Sequence, residues 1–161
     1  VCDHALQHVE GYETGYAALS ETVKPGGKIA VCVYSWENNF LMTRLIEPIK
    51  SVLHILPLKA LRFLSLFPAA IIYLYIKFVM GVRTWISEKT ASHLPLHDHM
   101  VFWAPNNIQF IWMACFDLVH APVSYHFTKK EMEQLASHEA QQILVLEHTH
   151  GTAWSMVTVK D

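Results

Sequence analysis

Three stretches of this sequence hold side chains whose types and spacing could do chemistry. The string His93-Leu94-Pro95-Leu96-His97-Asp98-His99 offers imidazoles four residues apart and a neighbouring carboxylate. Neutral imidazoles at i and i+4 can share a zinc ion when a helix aligns them. Pro95 breaks the helix that would align His93 with His97, and no thiol or second pair is at hand to complete a ligand set. The string reads as a solvated, histidine-rich loop, and no metal is expected. His126 is a different case. An imidazole titrating near ~6.5 can act as a general base toward an acceptor hydroxyl, with a polar contact or a structural role as the alternatives. Tyr34, Ser35 and Trp36 close an apolar run. If that run is a strand of an open α/β sheet, they lie at its carboxyl edge, where such sheets bind ligands. Lining a substrate pocket is their functional reading, and strand-end packing is the other.

The elements that must position these residues can be read from periodicity. Residues 1–5 suit the end of a buried strand. Over 12–23, apolar residues recur at Tyr12, Tyr16, Ala17, Leu19 and Val23, close to the helical period. Lys24-Pro25-Gly26-Gly27 stops that helix, because proline cannot continue it and glycine tolerates the turn. The run KIAVCVY over 28–34 then suits a strand covered on both faces. Helices are expected over 39–56 and 58–82, punctuated by Pro48, Pro57 and Pro68. Residues 93–127 read as irregular, with a short helix at 106–115. Thr128 and Glu131 form a capping box for a helix over 129–138. Strands at 142–148 and 153–160, joined by His150-Gly151-Thr152, make a hairpin. The organisation expected is an α/β part at 1–37, a helical apolar insertion at 38–92, and a return to the core at 93–161.

Composition narrows the function classes. The chain has 161 residues, enough for one domain with a sizeable core. Its hydrophobic share is 52% and its charged share 16%, against roughly 45–50% and about 25% in ordinary globular chains. The excess has to fill a core, line an apolar pocket, or meet a membrane or partner. With a net charge of −2, nothing suggests a nucleic-acid surface, which needs a clustered basic face. Cys2, Cys32 and Cys115 form no CxxC pair and read as reduced thiols of a cytoplasmic protein. The uncharged stretch 63–76 is shorter than the about 20 residues a span needs, so a helical cap is expected, with contact at a membrane surface through 58–82 as the other reading.

The opening 35 residues resemble class I S-adenosylmethionine-dependent methyltransferases in both order and spacing. That family has a fourth strand, a loop with a Leu-His-His-like string, a helix, a Lys-Pro-Gly-Gly turn and a buried fifth strand. Ala5-Leu6-Gln7-His8-Val9, residues 12–23, Lys24-Pro25-Gly26-Gly27 and residues 28–34 take those places. The tail adds Phe116-Asp117, Pro122, Tyr125, His126 and Thr128, which resemble a stretch of one small-molecule branch, and Ala153-Trp154-Ser155 suits its last strand. The resemblance covers about residues 1–35 and 115–160.

It implies an α/β fold: the C-terminal half of a Rossmann-like sheet, with a helical insertion and a terminal antiparallel hairpin. It implies S-adenosylmethionine as cofactor, with Asp3 and His4 facing the sulfonium and the amino-acid end. Tyr34, Ser35, Trp36 and Tyr125 would line the acceptor site, and His126 would be the base. The sequence contains no G-x-G, so the glycine-rich cofactor loop has no candidate. Together with a first residue that is valine, this leads us to expect the C-terminal portion of a longer enzyme, inactive alone and with negligible affinity for the cofactor. The acceptor expected is small and lipophilic or aromatic, with the apolar insertion as its lid. The alternative is a non-catalytic remnant or a membrane-associated interaction domain. Self-association, or binding to detergent and vesicles, is expected through 39–82, with Ile72 and Leu74 in its uncharged centre.

Overall fold

The chain alternates strand and helix at both ends and is wholly helical between them. The computed structural model describes residues 1–40, 42–53 and 55–160. The described elements are β1 (Cys2–Asp3), a 3₁₀ turn (Leu6–His8), α1 (Tyr12–Thr22), β2 (Lys28–Tyr34), a π-helical turn (Met42–Ile46), α2 (Glu47–Leu53), α3 (Leu58–Leu64), α4 (Leu66–Trp85), α5 (Glu88–Ala91), α6 (His97–Trp103), α7 (Ile108–His120), α8 (Lys129–His138), β3 (Gln141–Thr149) and β4 (Ala153–Lys160). They form a mixed α/β structure divided into two compact units, residues 1–47 with 123–161, and residues 48–122.

The first unit holds a four-stranded mixed sheet in the order β1-β2-β4-β3. β1 runs parallel to β2, with Cys2 opposite Val31 and Asp3 opposite Cys32. β4 lies antiparallel to β2, from Lys28 opposite Val159 to Tyr34 opposite Ala153, and pairs with β3 on its other edge as a hairpin. The strand expected at 28–34, its parallel neighbour within 1–5 and the terminal hairpin are all present. One expectation is corrected. β2 is not buried on both faces: Ile29, Val31 and Val33 are buried, while Ala30, Cys32 and Tyr34 are half-buried. The reason is that Tyr16 of α1 and Met132, Leu135 and Ala136 of α8 join Ile29, Val31, Val33, Trp154 and Met156 in one core cluster, on one face of the sheet.

Directional bonds lock this core. Tyr16, fully buried, donates its hydroxyl to Gln141 Oε1 at 2.8 Å, and Gln141 Nε2 donates to Ser20 Oγ at 2.8 Å. Those bonds join α1 to the hairpin inside the core, where unpaired polar groups would be costly. The Lys-Pro-Gly-Gly turn has a steric reason as well. Gly26 has φ +74, a conformation that favours glycine. A Cβ on Gly27 would meet Val23 Cγ1 at 2.5 Å and the Lys24 carbonyl at 2.8 Å. The turn thereby brings the Gly26 N–H to the Lys160 carbonyl at 2.7 Å. At α8 the capping box forms as expected, with Thr128 N–H donating to Glu131 Oε2 at 2.7 Å and Glu131 N–H to Thr128 Oγ1 at 3.3 Å.

The second unit is helical and runs to Pro122, so that residues 93–122, assigned from sequence to the returning core, are corrected to the helical unit. α5 ends at Ala91, before Pro95 is reached, α6 begins at His97, two residues after the proline, and α7 reaches His120. Met100 of α6 and Ile111 and Cys115 of α7 bury against Ala69, Ile76 and Val79 of α4. The short helix expected at 106–115 is present as α7 and longer, while α6, whose local sequence reads as irregular, is stabilised by this burial. The break near the end of the second expected helix also moves. Pro68 is the third residue of α4, in a first turn that tolerates a missing N–H, and the interruption falls at Ser65. Of the helix expected over 39–56, positions 41 and 54 lie outside the described residues. Leu58–Trp85 is long and apolar enough to cross a membrane, and 22% of its most apolar window is buried.

Candidate functional site

At the carboxyl ends of β1 and β2 the parallel register sets Asp3 beside Cys32. His4 follows with φ +48, left-handed for a non-glycine residue, and its N–H donates to the Cys32 carbonyl at 2.9 Å. That turn folds the imidazole back over the sheet. Nδ1 donates to Asp3 Oδ1 at 2.7 Å, and Nε2 faces Cys32 Sγ at 3.9 Å. The Cys32 sulfur also accepts from Ser155 Oγ at 3.6 Å, and Ser155 accepts from Thr149 Oγ1 at 2.7 Å. The hydrogen bond to the Cys32 sulfur, aided by the Asp3 carboxylate and opposed by burial, pushes the His4 imidazole up to about 9. At neutral pH His4 is therefore held protonated. Among the described residues, Asp3, His4 and Cys32 are the one group of three possible metal donors, within 4.8 Å of one another. Both ring nitrogens of His4 are engaged by Asp3 and Cys32.

Two residues beyond Cys32 on the same strand face, Tyr34 sits among three imidazoles. Its ring centroid lies 5.5 Å from His4, 5.8 Å from His8 and 5.7 Å from His126, the last stacked at 29°. Residues 123–127 are tied alongside to make this possible. Tyr125 N–H donates to the Gln7 carbonyl at 2.9 Å, Phe127 N–H to the Tyr34 carbonyl at 2.8 Å, and Trp36 N–H to the Phe127 carbonyl at 2.9 Å. His8 Nδ1 donates to the Val123 carbonyl at 2.7 Å, which fixes its ring. An extended segment alternates its side chains, so His126 meets Tyr34 while Tyr125 turns to Tyr12, 5.0 Å away, and to the core.

No protein-family model matches the chain, and neither a curated protein nor a solved structure matches it. The site is therefore read from its own residues. Asp3, His4, Tyr34 and His126 come together at one sheet edge. Ser35 does not join them: it is wholly buried, donates to the Glu37 carbonyl at 2.7 Å and accepts from His148 Nε2 at 2.8 Å. Trp36 is exposed, and Tyr125 faces inward. Glu37 binds the Trp154 indole N–H at 2.8 Å and the Lys129 N–H at 3.2 Å, at the start of α8. Burial would raise the Glu37 carboxyl, but these donors and the nearby His148 hold it below its ordinary value.

The histidine string of the helical unit does not converge. His93 Nδ1 donates to the Lys89 carbonyl at 2.8 Å, His97 is buried with Nδ1 on Asp98 at 2.8 Å, and the His99 ring leans on Trp103. Sequence reasoning missed Cys32, His8 and Ser155. The period of two places Cys32 on the face of Tyr34, which was legible. Its contact with His4 depends on the β1–β2 register and on a left-handed residue, neither of which has a local signal.

Proposed function

We propose that this chain is the C-terminal half of a class I methyltransferase, which transfers a methyl group from S-adenosylmethionine to a small lipophilic or aromatic acceptor. The observation that carries the reading is the sheet: a parallel β1–β2 pair joined through α1, with β4 inserted antiparallel between β2 and β3. That is the arrangement which the resemblance implies for the fourth, fifth and last two strands of such an enzyme. The exposed Asp3 carboxylate suits a cationic sulfonium or ammonium, and protonated His4 suits the carboxylate of an amino-acid end. The chain offers no counterpart for the adenosine end, because it has no G-x-G. In this reading that loop is supplied by sequence upstream of Val1.

The cofactor supplies an activated methyl donor, so the protein's share is alignment and exclusion of water. In this reading Tyr34 lines the acceptor site. His126, stacked on it, takes the proton of an acceptor hydroxyl. Titration calorimetry of the 161-residue chain with S-adenosylmethionine should give negligible heat. A chain extended upstream through a glycine-rich loop should bind it, and Asp3→Ala should weaken that binding by about tenfold, as loss of one charge-assisted contact does. Tight binding to the short chain, or none to the extended one, would sink the reading.

A second reading, a membrane-associated interaction domain, is favoured by one observation. Phe67, Ile71, Leu74, Phe78 and Trp85 are all exposed and recur on one side of α4. In this reading that stripe lies in the boundary between lipid headgroups and acyl chains. Cosedimentation with zwitterionic vesicles tests it, with the double variant Phe67→Glu, Leu74→Glu expected to abolish binding. A wild-type chain that ignores vesicles removes the idea.

A further inference from the structure

We propose that Cys32 is a nucleophilic thiol, served by His4 and Asp3, that adds to small α,β-unsaturated carbonyl compounds entering from the open face of the sheet. This does not rest on the methyl-transfer reading and stands whether or not the chain meets S-adenosylmethionine.

Three groups stand in the order a nucleophile needs. The Cys32 sulfur faces an imidazole nitrogen at 3.9 Å, and the other nitrogen of that ring is held by a carboxylate at 2.7 Å. A nucleophile, a base and a group that orients the base form a recurring catalytic arrangement. Ser155 adds a second donor to the sulfur at 3.6 Å, with its own oxygen held by Thr149. Negative charge that develops on sulfur thus meets a hydroxyl on one side and an imidazolium on the other.

Access comes from the sheet face that α1 and α8 leave open. A pocket of about 170 Å³ there is lined by Asp3, Ala30, Cys32, Ser155 and Val157. Apart from the reacting groups its walls are apolar, which selects a small uncharged electrophile over a charged one. In the reaction the sulfur forms a bond to the β-carbon, and the carbon–carbon π bond opens. The thiol proton goes to solvent, the α-carbon takes the Nε2 proton of the His4 imidazolium, which solvent restores, and nothing leaves. Cys2 provides an internal comparison. It is equally half-buried on the adjacent strand and lines the same pocket, but among the described residues it has no imidazole against its sulfur.

The experiment uses N-ethylmaleimide as the electrophile, at limiting concentration, with each cysteine followed by peptide mass spectrometry. Cys32 should react at least about tenfold faster than Cys2 near neutral pH. His4→Gly suits the left-handed backbone at that position, so it keeps the fold while removing the imidazole. It should slow Cys32 by about tenfold, leave Cys2 unchanged, and be partly restored by free imidazole, which a merely structural role of His4 would not allow. Asp3→Asn should slow Cys32 by a smaller factor. Equal rates at Cys2 and Cys32, or a His4→Gly chain with an unaltered Cys32 rate, overturns the proposal. A wild-type Cys32 that reacts only after a chelator is added also overturns it, in favour of a metal held by the three donors.

Discussion

The two compact units exclude water from their cores by different means. In the sheet unit, apolar burial is crossed by directional bonds: Tyr16 to Gln141 and on to Ser20, Glu37 to Trp154, His148 to Ser35. Each bond has one geometry, so the strands keep one register and the residues at their ends keep one arrangement. In the helical unit the core is a set of apolar contacts from Ala69, Ile76 and Val79 to Met100, Ile111 and Cys115, joined by few polar bonds such as the Trp112 indole to Ser65 at 2.9 Å. Large apolar side chains there also point outward. Chemistry that needs fixed distances belongs to the first unit, and contact with an apolar surface suits the second.

The sharpest way to break this contrast is to truncate one phenylalanine in each unit. Phe127 is 1% exposed in the sheet core and Phe67 is 74% exposed on α4. Phe127→Ala should cost about 3–5 kcal/mol in urea unfolding, while Phe67→Ala should stay within about 0.5 kcal/mol and instead reduce self-association. Ile72 and Leu74, taken together from sequence as the centre of the apolar run, should also separate. Ile72 packs on the helical core and Leu74 is exposed. Leu74→Glu should therefore disperse the chain without unfolding it, whereas Ile72→Glu should destabilise it. Equal effects in both pairs would erase the distinction between the units.

Glu37→Ala removes the acceptor of a buried indole N–H and should cost about 1–3 kcal/mol. Because the Glu37 carboxyl is held below its ordinary value, its contribution is present above the unfolded value of 4.5 and is lost as pH falls. The melting temperatures of wild type and Glu37→Ala should thus converge in acid, and a constant gap at all pH values would show that the bond is not what stabilises. Gln7 runs the other way. It is wholly buried, and among the described residues its amide finds no hydrogen-bond partner. Gln7→Met should raise stability by about 1 kcal/mol, and a loss on that substitution would mean that the amide is satisfied in solution.

The smallest effect expected is at His4. Its folded value of about 9 lies above the unfolded 6.5, so its stabilisation is complete below about 6.5 and fades as pH rises toward 9. The side chain is 43% exposed, and solvent screening keeps this to less than about 1 kcal/mol. Thermal melts of wild type and His4→Gly across that window should draw together at high pH.

The sequence by itself determined the elements whose causes are local. The Lys24-Pro25-Gly26-Gly27 turn, the capping box at Thr128 and Glu131, the apolar run of β2 and the His150-Gly151-Thr152 loop each act over a few residues, so they were legible. The placement of Asp3 and His4 at the carboxyl end of a strand parallel to β2 was legible, while their hold on Cys32 was not. Only the tertiary structure decided that α6 is helical and that α7 runs on to His120, because both helices bury against α4 across the unit. It also decided which face of β2 is buried, since an apolar run is the same string whether one face or both are covered. Finally, it decided that Tyr125 turns inward and His126 outward to Tyr34, because alternation makes neighbours diverge, and only the bonds from Gln7 and Tyr34 set which of them faces the site.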